Sequence, residues 1–143
     1  MDFLDELEQR ILPGDGAMGT MLMDTGIALD RCLEELCVSH PDLVSNVHRQ
    51  YVAAGARVIE TNTFGANAVR LDKFGFADRV AEINHAAVRL AKAAVQNKPV
   101  YVAGSVGPLG ITREQAEERG IDRRRVFQEQ ISALLEAGVD LLF

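Results

Sequence analysis

Three short polar stretches contain the residues that could do chemistry. They are DGAMGT at 15–20, ETNTF at 60–64 and GSVGP at 104–108, and each follows a more apolar segment. In parallel α/β architectures, ligands bind where the carboxyl ends of the strands meet the following loops. The sequence therefore predicts that these stretches line one pocket.

Asp15 is the first candidate for a ligand contact. It lies between Gly14 and Gly16, and glycines let a ligand approach the backbone closely. A carboxylate at the mouth of a pocket suits an ammonium group. The alternative is a local role in a turn or as the cap of the next helix, which is the more common role for an isolated Asp-Gly pair. The residues alone leave both interpretations open.

Glu60 is the second candidate, because it lies within a segment, residues 57–64, that is typical of a covered strand. Such a strand has little tolerance for an unpaired charge. Glu60 therefore either contacts a ligand or forms a structural ion pair, with Arg57 or a distant lysine. Both interpretations remain open.

The sequence offers little for metal or phosphate binding. DGAMGT lacks the lysine of a phosphate loop, and GSVGPLG lacks dinucleotide-binding glycine spacing. A small doubly wound protein that binds a phosphorylated ligand is thus a weak alternative. Cys32 and Cys37 make a poor zinc signature and are interpreted as buried, inert thiols. His48 and His85 fall within predicted helices and are interpreted as solvated or core-edge imidazoles.

The composition excludes several classes of protein. The net charge of −6 offers no basic excess for nucleic acid. No apolar stretch approaches the ~20 residues of a membrane span, and the acidic start is unlike a secretory signal. Two cysteines do not make a disulfide framework. We therefore expect a cytoplasmic protein with neither a nucleic-acid nor a membrane partner.

Strand and helix patterns alternate along the chain. Residues 57–64, 99–106 and 139–143 are predicted strands, and residues 11–12 are a weaker candidate. Helices are predicted from Pro41 to Gly55 with Ser39 as a cap, from near Asp78 to residue 96, and from Thr112 to Gly138 with a break at Gly120 and a restart after Asp122. This alternation predicts a parallel α/β sheet, with residues 57–64 and 99–106 adjacent and parallel. Periodicity alone does not choose between a doubly wound sheet and a barrel.

The motifs, taken in order, resemble one family. DGAMGT, then His48, Tyr51 and ETNTFGAN at 60–67, then AGSVGPLG at 103–110 are similar to the homocysteine S-methyltransferase domain. That domain occurs in cobalamin-dependent methionine synthase and in betaine- and S-methylmethionine-dependent enzymes, and it is also fused to methylenetetrahydrofolate reductase. DRCLEELCVSHPDLV at 30–44 resembles the fused or bacterial stand-alone branch.

The resemblance implies an incomplete fold and a methyl-transfer function. Residues 1–143 would be the N-terminal half of a (β/α)8 barrel, comprising the first three and a half βα units and no second domain. The complete enzyme would transfer a methyl group from a donor to the homocysteine thiol and form methionine. Asp15 would hold the substrate ammonium beside Gly16 and its neighbouring amides. Glu60, Asn62 and Thr63 would line the mouth, with Gly104 and Ser105 as its neighbouring wall.

The resemblance also implies that the metal lies elsewhere. Zinc in the complete domain would be held by three cysteines beyond Phe143, so no catalytic or metal-binding residue is expected within 1–143. Cys32 and Cys37 match none of those positions, and Arg57 stands where many relatives carry aspartate. We expect this chain alone to be inactive, to hold no zinc and to self-associate through open strand edges. The alternative function is a non-catalytic half-barrel that binds an amino acid or a complementing chain.

Overall fold

The protein is an α/β structure in which helices pack against a short, open parallel sheet. The computed structural model describes residues 2–143. The strands are β1 (Val58–Glu60), β2 (Tyr101–Gly104) and β3 (Leu141–Leu142). The helices are α1 (Phe3–Gln9), α2 (Gly19–Met23), α3 (Leu36–Ser39), α4 (Pro41–Ala53), α5 (Ala68–Asp72), α6 (Val80–Ala94), α7 (Arg113–Glu118) and α8 (Arg123–Glu136), with a 3-10 turn at Ala77–Arg79.

The sheet has the order β1-β2-β3, and both pairings are parallel. Ile59 pairs with Val102, and α6 connects the two strands. The predicted adjacency of the first two strands is thus confirmed. The strands are shorter than predicted, because the backbone turns once the polar residues begin: the amide of Thr63 donates to the carbonyl of Thr61 rather than to a neighbouring strand.

The weak strand predicted at residues 11–12 is wrong. Ile11 is 90% exposed, and the only ladder contact nearby is an isolated parallel bridge between Gly14 and Val58. Pro13 has no amide hydrogen to donate, although its carbonyl accepts from the amide of Arg57 at 2.7 Å. The segment therefore lies along β1 and carries Asp15 to the end of that strand.

The core lies between the sheet and the helices α4 and α6. Ile59 and Val102 of the sheet pack with Val52 of α4 and Ala91 of α6. These side chains are between 0% and 8% exposed, and burial of each valine or isoleucine side chain stabilises the fold by about 1.5–3 kcal/mol. This packing holds β1 and β2 side by side, so their carboxyl ends lie next to each other.

Helix termini mostly follow the predicted signals. Thr112 and Gln115 form a capping box at α7, and the side chain of Asp122 accepts from the amide of Arg125 at the start of α8. Gly120 and Gly138 adopt φ values of 65° and 91°, a region that favours glycine. The helix starts predicted at Thr112 and after Asp122, and the helix ends predicted at Gly120 and Gly138, are confirmed.

Two predicted helix starts differ from the structure. Ser39 does not cap α4, because it is the last residue of α3 and its hydroxyl donates to Glu35 at 2.8 Å. His40 takes the cap position, and Pro41 begins the helix as predicted. The helix expected near Asp78 begins at Val80, after the 3-10 turn.

Helix α1 is attached to the amino-terminal end of the sheet through a buried carboxylate. Glu6 is 4% exposed and accepts hydrogen bonds from the guanidinium of Arg57 at 2.6 Å and from the hydroxyl of Tyr101 at 2.8 Å. Arg10 also donates to Glu6. The partner of Arg57 is thus Glu6.

Across residues 2–143, no helix has the length and apolarity that a membrane crossing requires.

Candidate functional site

A cleft of about 360 Å³ opens at the carboxyl ends of β1 and β2. The three polar stretches meet there, although they lie far apart in the sequence. Of the predicted site residues, those that line the cleft are Asp15, Gly16, Glu60, Asn62, Thr63 and Ser105. Their convergence follows from the parallel sheet, which brings the ends of neighbouring strands to one edge.

Asp15 is bound to the end of β1. Its amide donates to the carbonyl of Val58 at 2.9 Å, and its Oδ2 accepts from the amide of Glu60 at 3.0 Å. Asp15 does not cap the following helix, because Met18 occupies that position and α2 has no side-chain cap. The local role of Asp15 is therefore to satisfy a strand-end amide, which leaves its second carboxylate oxygen beside the cleft.

The electrostatic environment of Asp15 favours its neutral form. Burial, together with the negative charge of Glu60, raises the pKa of this carboxyl to about 6, although the hydrogen bond from the amide of Glu60 opposes the shift. A cation in the cleft would oppose both effects, because opposite charge stabilises an ionised carboxylate. The arrangement is therefore chemically compatible with a positively charged group.

Glu60 forms no structural ion pair among the described residues. Arg57, the nearest candidate in sequence, pairs with Glu6 instead, so the hypothesis of an Arg57–Glu60 pair is wrong. The carboxylate of Glu60 accepts a hydrogen bond from the hydroxyl of Ser105 at 2.8 Å. The Ser105 hydroxyl therefore holds the carboxylate in place, and no cationic side chain of the described residues forms an ion pair with it.

Asn62 and Thr63 are largely committed to holding the loops in place. The amide nitrogen of Asn62 donates to the carbonyl of Leu33 at 2.7 Å, and the hydroxyl of Thr63 donates to the carbonyl of Ser105 at 2.7 Å. Thr63 is fully buried and Asn62 is 8% exposed. Their contacts join the loop after β1 to the loop after β2 and to residues 30–35.

Of the two glycines predicted to contact the substrate, Gly16 lies at the cleft and Gly104 does not. Gly16 lines the cleft, and a side chain there would meet the hydroxyl of Tyr51 at 3.0 Å. Tyr51 in turn donates to the carbonyl of Ala17 at 2.7 Å, so a glycine is needed for this packing. Gly104 is not brought to the cleft: a side chain on it would meet Leu142 at 2.9 Å and Leu134 at 3.1 Å.

Sequence reasoning missed two charged residues of the cleft. Glu34 accepts from the amide of Gly65 at 2.8 Å, and the Arg70 guanidinium lies 5.8 Å from the centre of the Phe64 ring. Both lie outside the three polar stretches, although Glu34 falls within the segment 30–44 that carries part of the family resemblance. The other lining residues are Met18, Gly19, Leu33, Thr61 and Phe64.

The cysteines and His48 belong to the core. Burial raises the pKa of the Cys32 thiol to about 11 and that of Cys37 to about 12, so both stay protonated at neutral pH and their interpretation as buried thiols is confirmed. Burial lowers the pKa of His48 to about 4, and its ring is fully buried rather than solvated. Residues 2–143 contain no cluster of three His, Cys, Asp or Glu side chains that could hold a metal. The residues present do not fit a zinc site.

Comparison with known proteins shows the family to which this chain belongs. A family model described as homocysteine S-methyltransferase matches residues 12–143. The chain belongs to the homocysteine S-methyltransferase family. It is similar to a protein named methionine synthase from Mycobacterium tuberculosis, with 33% identity over 99% of the chain and 13% of that protein. The methionine synthase of Mycobacterium leprae is 35% identical over 97% of the chain and 12% of its own length.

Solved structures of this family confirm the fold. The chain is similar to the Escherichia coli homocysteine methyltransferase MmuM in its metallated form, with a TM-score of 0.78 and 29% identity over 96% of the chain. The oxidized form matches with a TM-score of 0.77 and 31% identity. The chain covers 55% of the metallated MmuM chain and 53% of the oxidized one. The chain, with its three-stranded open sheet, therefore matches a fragment that makes up about half of such a barrel enzyme.

Proposed function

We propose that this chain forms the part of a homocysteine S-methyltransferase that recognises the amino-acid end of homocysteine. The observation that carries the proposal is the convergence of Asp15 and Glu60 at one cleft, where neither is neutralised by a basic partner in the described residues. The family match supports homocysteine as the substrate. The complete enzyme would transfer a methyl group to its thiol and release methionine.

The substrate ammonium would lie against the two carboxylates. It would offer three hydrogen-bond donors, while Asp15 has one oxygen outside its bond to the Glu60 amide. Glu60 would be held in place by Ser105. An ammonium here would stabilise the ionised form of Asp15, because its positive charge opposes the burial and the negative charge that raise the pKa of this carboxyl. The pair would therefore bind and orient the amino acid and take no part in bond making.

Activation of the thiol is assigned to residues outside this segment. The thiolate is the nucleophilic form of a thiol whose free pKa is about 8.5, so methyl transfer near neutral pH needs a cation beside the sulfur. In the complete domain we propose that zinc fills this role, held by cysteines other than Cys32 and Cys37. Those two thiols have raised pKa values and are buried in the core.

Substitution of Asp15 tests the proposal. Asp15→Asn keeps an oxygen that can accept from the Glu60 amide but removes the negative charge. Loss of a charged hydrogen bond of about 1.5–3 kcal/mol should weaken homocysteine binding roughly 10- to 100-fold at pH 7.5. Calorimetric titration with L-homocysteine would measure this. The matched control is Asp72→Asn, an exposed aspartate on α5, which should leave the affinity unchanged.

Two outcomes would contradict the proposal. Equal affinity of wild type and Asp15→Asn would remove Asp15 from the binding site. Binding of 4-mercaptobutanoic acid, which lacks the ammonium group, as tightly as homocysteine would mean that the cleft does not recognise the amino end of the substrate. The alternative, a non-catalytic half-barrel, predicts binding without turnover even when a polypeptide supplying the rest of the barrel is added.

A further inference from the structure

A second cleft, which we call the basal cleft, lies at the opposite end of the sheet and has a volume of about 500 Å³. Its walls come from α1, from α6 and from the residues that precede each strand. The charged residues that line it are Arg10, Arg57, Lys92, Lys98, Glu6 and Asp140. Two of the three lysines of the whole chain are therefore gathered in this one place.

The basal cleft is positively charged in an acidic protein. Its four cationic side chains exceed its two carboxylates by two charges, whereas the chain as a whole carries −6. Glu6 stays ionised, because the hydrogen bond from Tyr101, together with Arg10 and Arg57, lowers the pKa of its carboxyl. Glu6 is therefore counted as a negative charge of the cleft at neutral pH.

Both carboxylates are already committed to donors of the protein. Glu6 accepts from Arg10, Arg57 and Tyr101. Asp140 pairs with Lys92 at 2.8 Å and accepts from the amide of Val102 at 2.7 Å. Neither carboxylate forms a salt bridge with Lys98, which is exposed and has no ion-pair partner within residues 2–143.

Arg57 adds an unsatisfied donor to this surplus of charge. Its Nε is buried and has no hydrogen-bond partner in the described part of the chain, although another nitrogen of the same guanidinium donates to Glu6 at 2.6 Å. A buried donor without an acceptor costs free energy. The end of α6 explains a cation at Lys92, because helix carboxyl ends favour positive charge, but Arg10 and Arg57 belong to other elements.

We propose that the basal cleft binds a small oxyanion of the phosphate class. A phosphate dianion balances the two surplus charges, and its oxygens accept hydrogen bonds from guanidinium and ammonium groups together. The ligand is either inorganic phosphate or the phosphoryl group of a small phosphomonoester. The proposal is independent of homocysteine recognition, since the two clefts lie at opposite ends of the sheet.

Nuclear magnetic resonance titration of the whole chain with inorganic phosphate tests this site. Ionic strength is held constant with sodium chloride, so that general screening does not change. We expect saturable shifts confined to amides around the cleft, such as those of Lys98 and Val100. A parallel titration with glycerol phosphate distinguishes the two sources of the phosphoryl group, and saturable binding of either supports the proposal.

Two lysine variants make the result specific. Lys98→Gln removes one cation of the cleft and should weaken phosphate binding about three- to tenfold, the range expected for one charged contact at a partly exposed site. Lys73→Gln removes the same charge from an exposed position outside the cleft and should leave the affinity unchanged. Shifts that do not saturate with either ligand, or an equal effect of the two variants, would overturn the proposal.

Discussion

At the scale of single residues, Asp15 combines a structural bond with an electrostatic cost. Its carboxylate accepts from the amide of Glu60 at 3.0 Å, but burial and the charge of Glu60 raise its pKa to about 6. A carboxyl group whose ionised form is destabilised in the free protein and stabilised by a bound cation is typical of a binding site. The free protein therefore gives up some stability at this position.

The pH dependence of stability should reveal this cost. The folded-state pKa of Asp15 lies above its ordinary value of 3.8, so the protonated form is favoured by folding. Its contribution to stability is full below pH 3.8 and is lost as the pH rises through about 6. Asp15→Asn does not ionise, so its free energy of unfolding relative to wild type should increase from pH 4 to pH 7 and then stay level.

Denaturant unfolding across this pH range measures the effect. Asp72→Asn serves as the control, because Asp72 is exposed and its removal should give a curve parallel to that of wild type. A curve for Asp15→Asn that is also parallel to wild type would show that Asp15 titrates with the same pKa in the folded and unfolded chain.

At the scale of elements, the cleft depends on close contact between the loops that follow β1 and β2. Gly107 brings these loops together: its amide donates to the carbonyl of Phe64 at 3.0 Å. A Cβ atom at this position would lie 2.4 Å from the same carbonyl oxygen. The Thr63 hydroxyl, which donates to the Ser105 carbonyl, joins the same two loops.

Gly107→Ala should therefore separate the two loops. We expect a loss of about 1–3 kcal/mol in the free energy of unfolding, typical of forced overpacking, together with weaker homocysteine binding. Gly14→Ala is the matched control, because nothing lies within 4 Å of a Cβ atom there. Chemical denaturation and calorimetric titration give the two readouts. Equal stability of the two variants would show that the loops shift without cost.

At the scale of the whole molecule, the sheet has an open side. β3 is an edge strand, in which Leu142 is 37% exposed, and the following residue Phe143 is 57% exposed. Unpaired strand groups beside exposed apolar side chains favour pairing with another chain. The chain covers 55% of the length of the metallated MmuM chain.

We predict that the isolated chain self-associates through this edge. Sedimentation velocity should show oligomers whose population grows with protein concentration. Leu142→Lys places a charge on the edge and should shift the distribution toward monomer. Leu29→Lys, at a residue 84% exposed outside the sheet, should leave the distribution unchanged. A monomer at all concentrations, or an equal response to both variants, would exclude the edge as the contact.

We also predict that the chain alone holds no stoichiometric zinc and transfers no methyl group. The thiols of Cys32 and Cys37 have pKa values of about 11 and 12 because they are buried, and metal binding requires the thiolate. Metal analysis of the purified chain and an assay for methionine formation would check this. One tightly bound zinc per chain, with measurable turnover, would contradict it.

The sequence by itself determined the helices α4, α6, α7 and α8, the order of the strands along the chain and the location of the cleft. The caps at Thr112 and Asp122 are local contacts between residues three positions apart, so the helix starts there can be predicted from the sequence. The parallel pairing of β1 and β2 follows from the strand-helix-strand order. Asp15, Glu60 and Ser105 could be placed at one cleft because parallel strands end at the same edge.

Only the tertiary structure decided the partners of the charged side chains. Arg57 pairs with Glu6 rather than Glu60, and Glu34 reaches the amide of Gly65 from a distant loop. Arg57 precedes β1 and Glu60 is its last residue, so the two side chains lie at opposite ends of the strand. Proximity in sequence therefore does not decide which charged side chains form ion pairs. Burial, which sets the pKa of Asp15, His48 and both cysteines, arises only when all layers are packed.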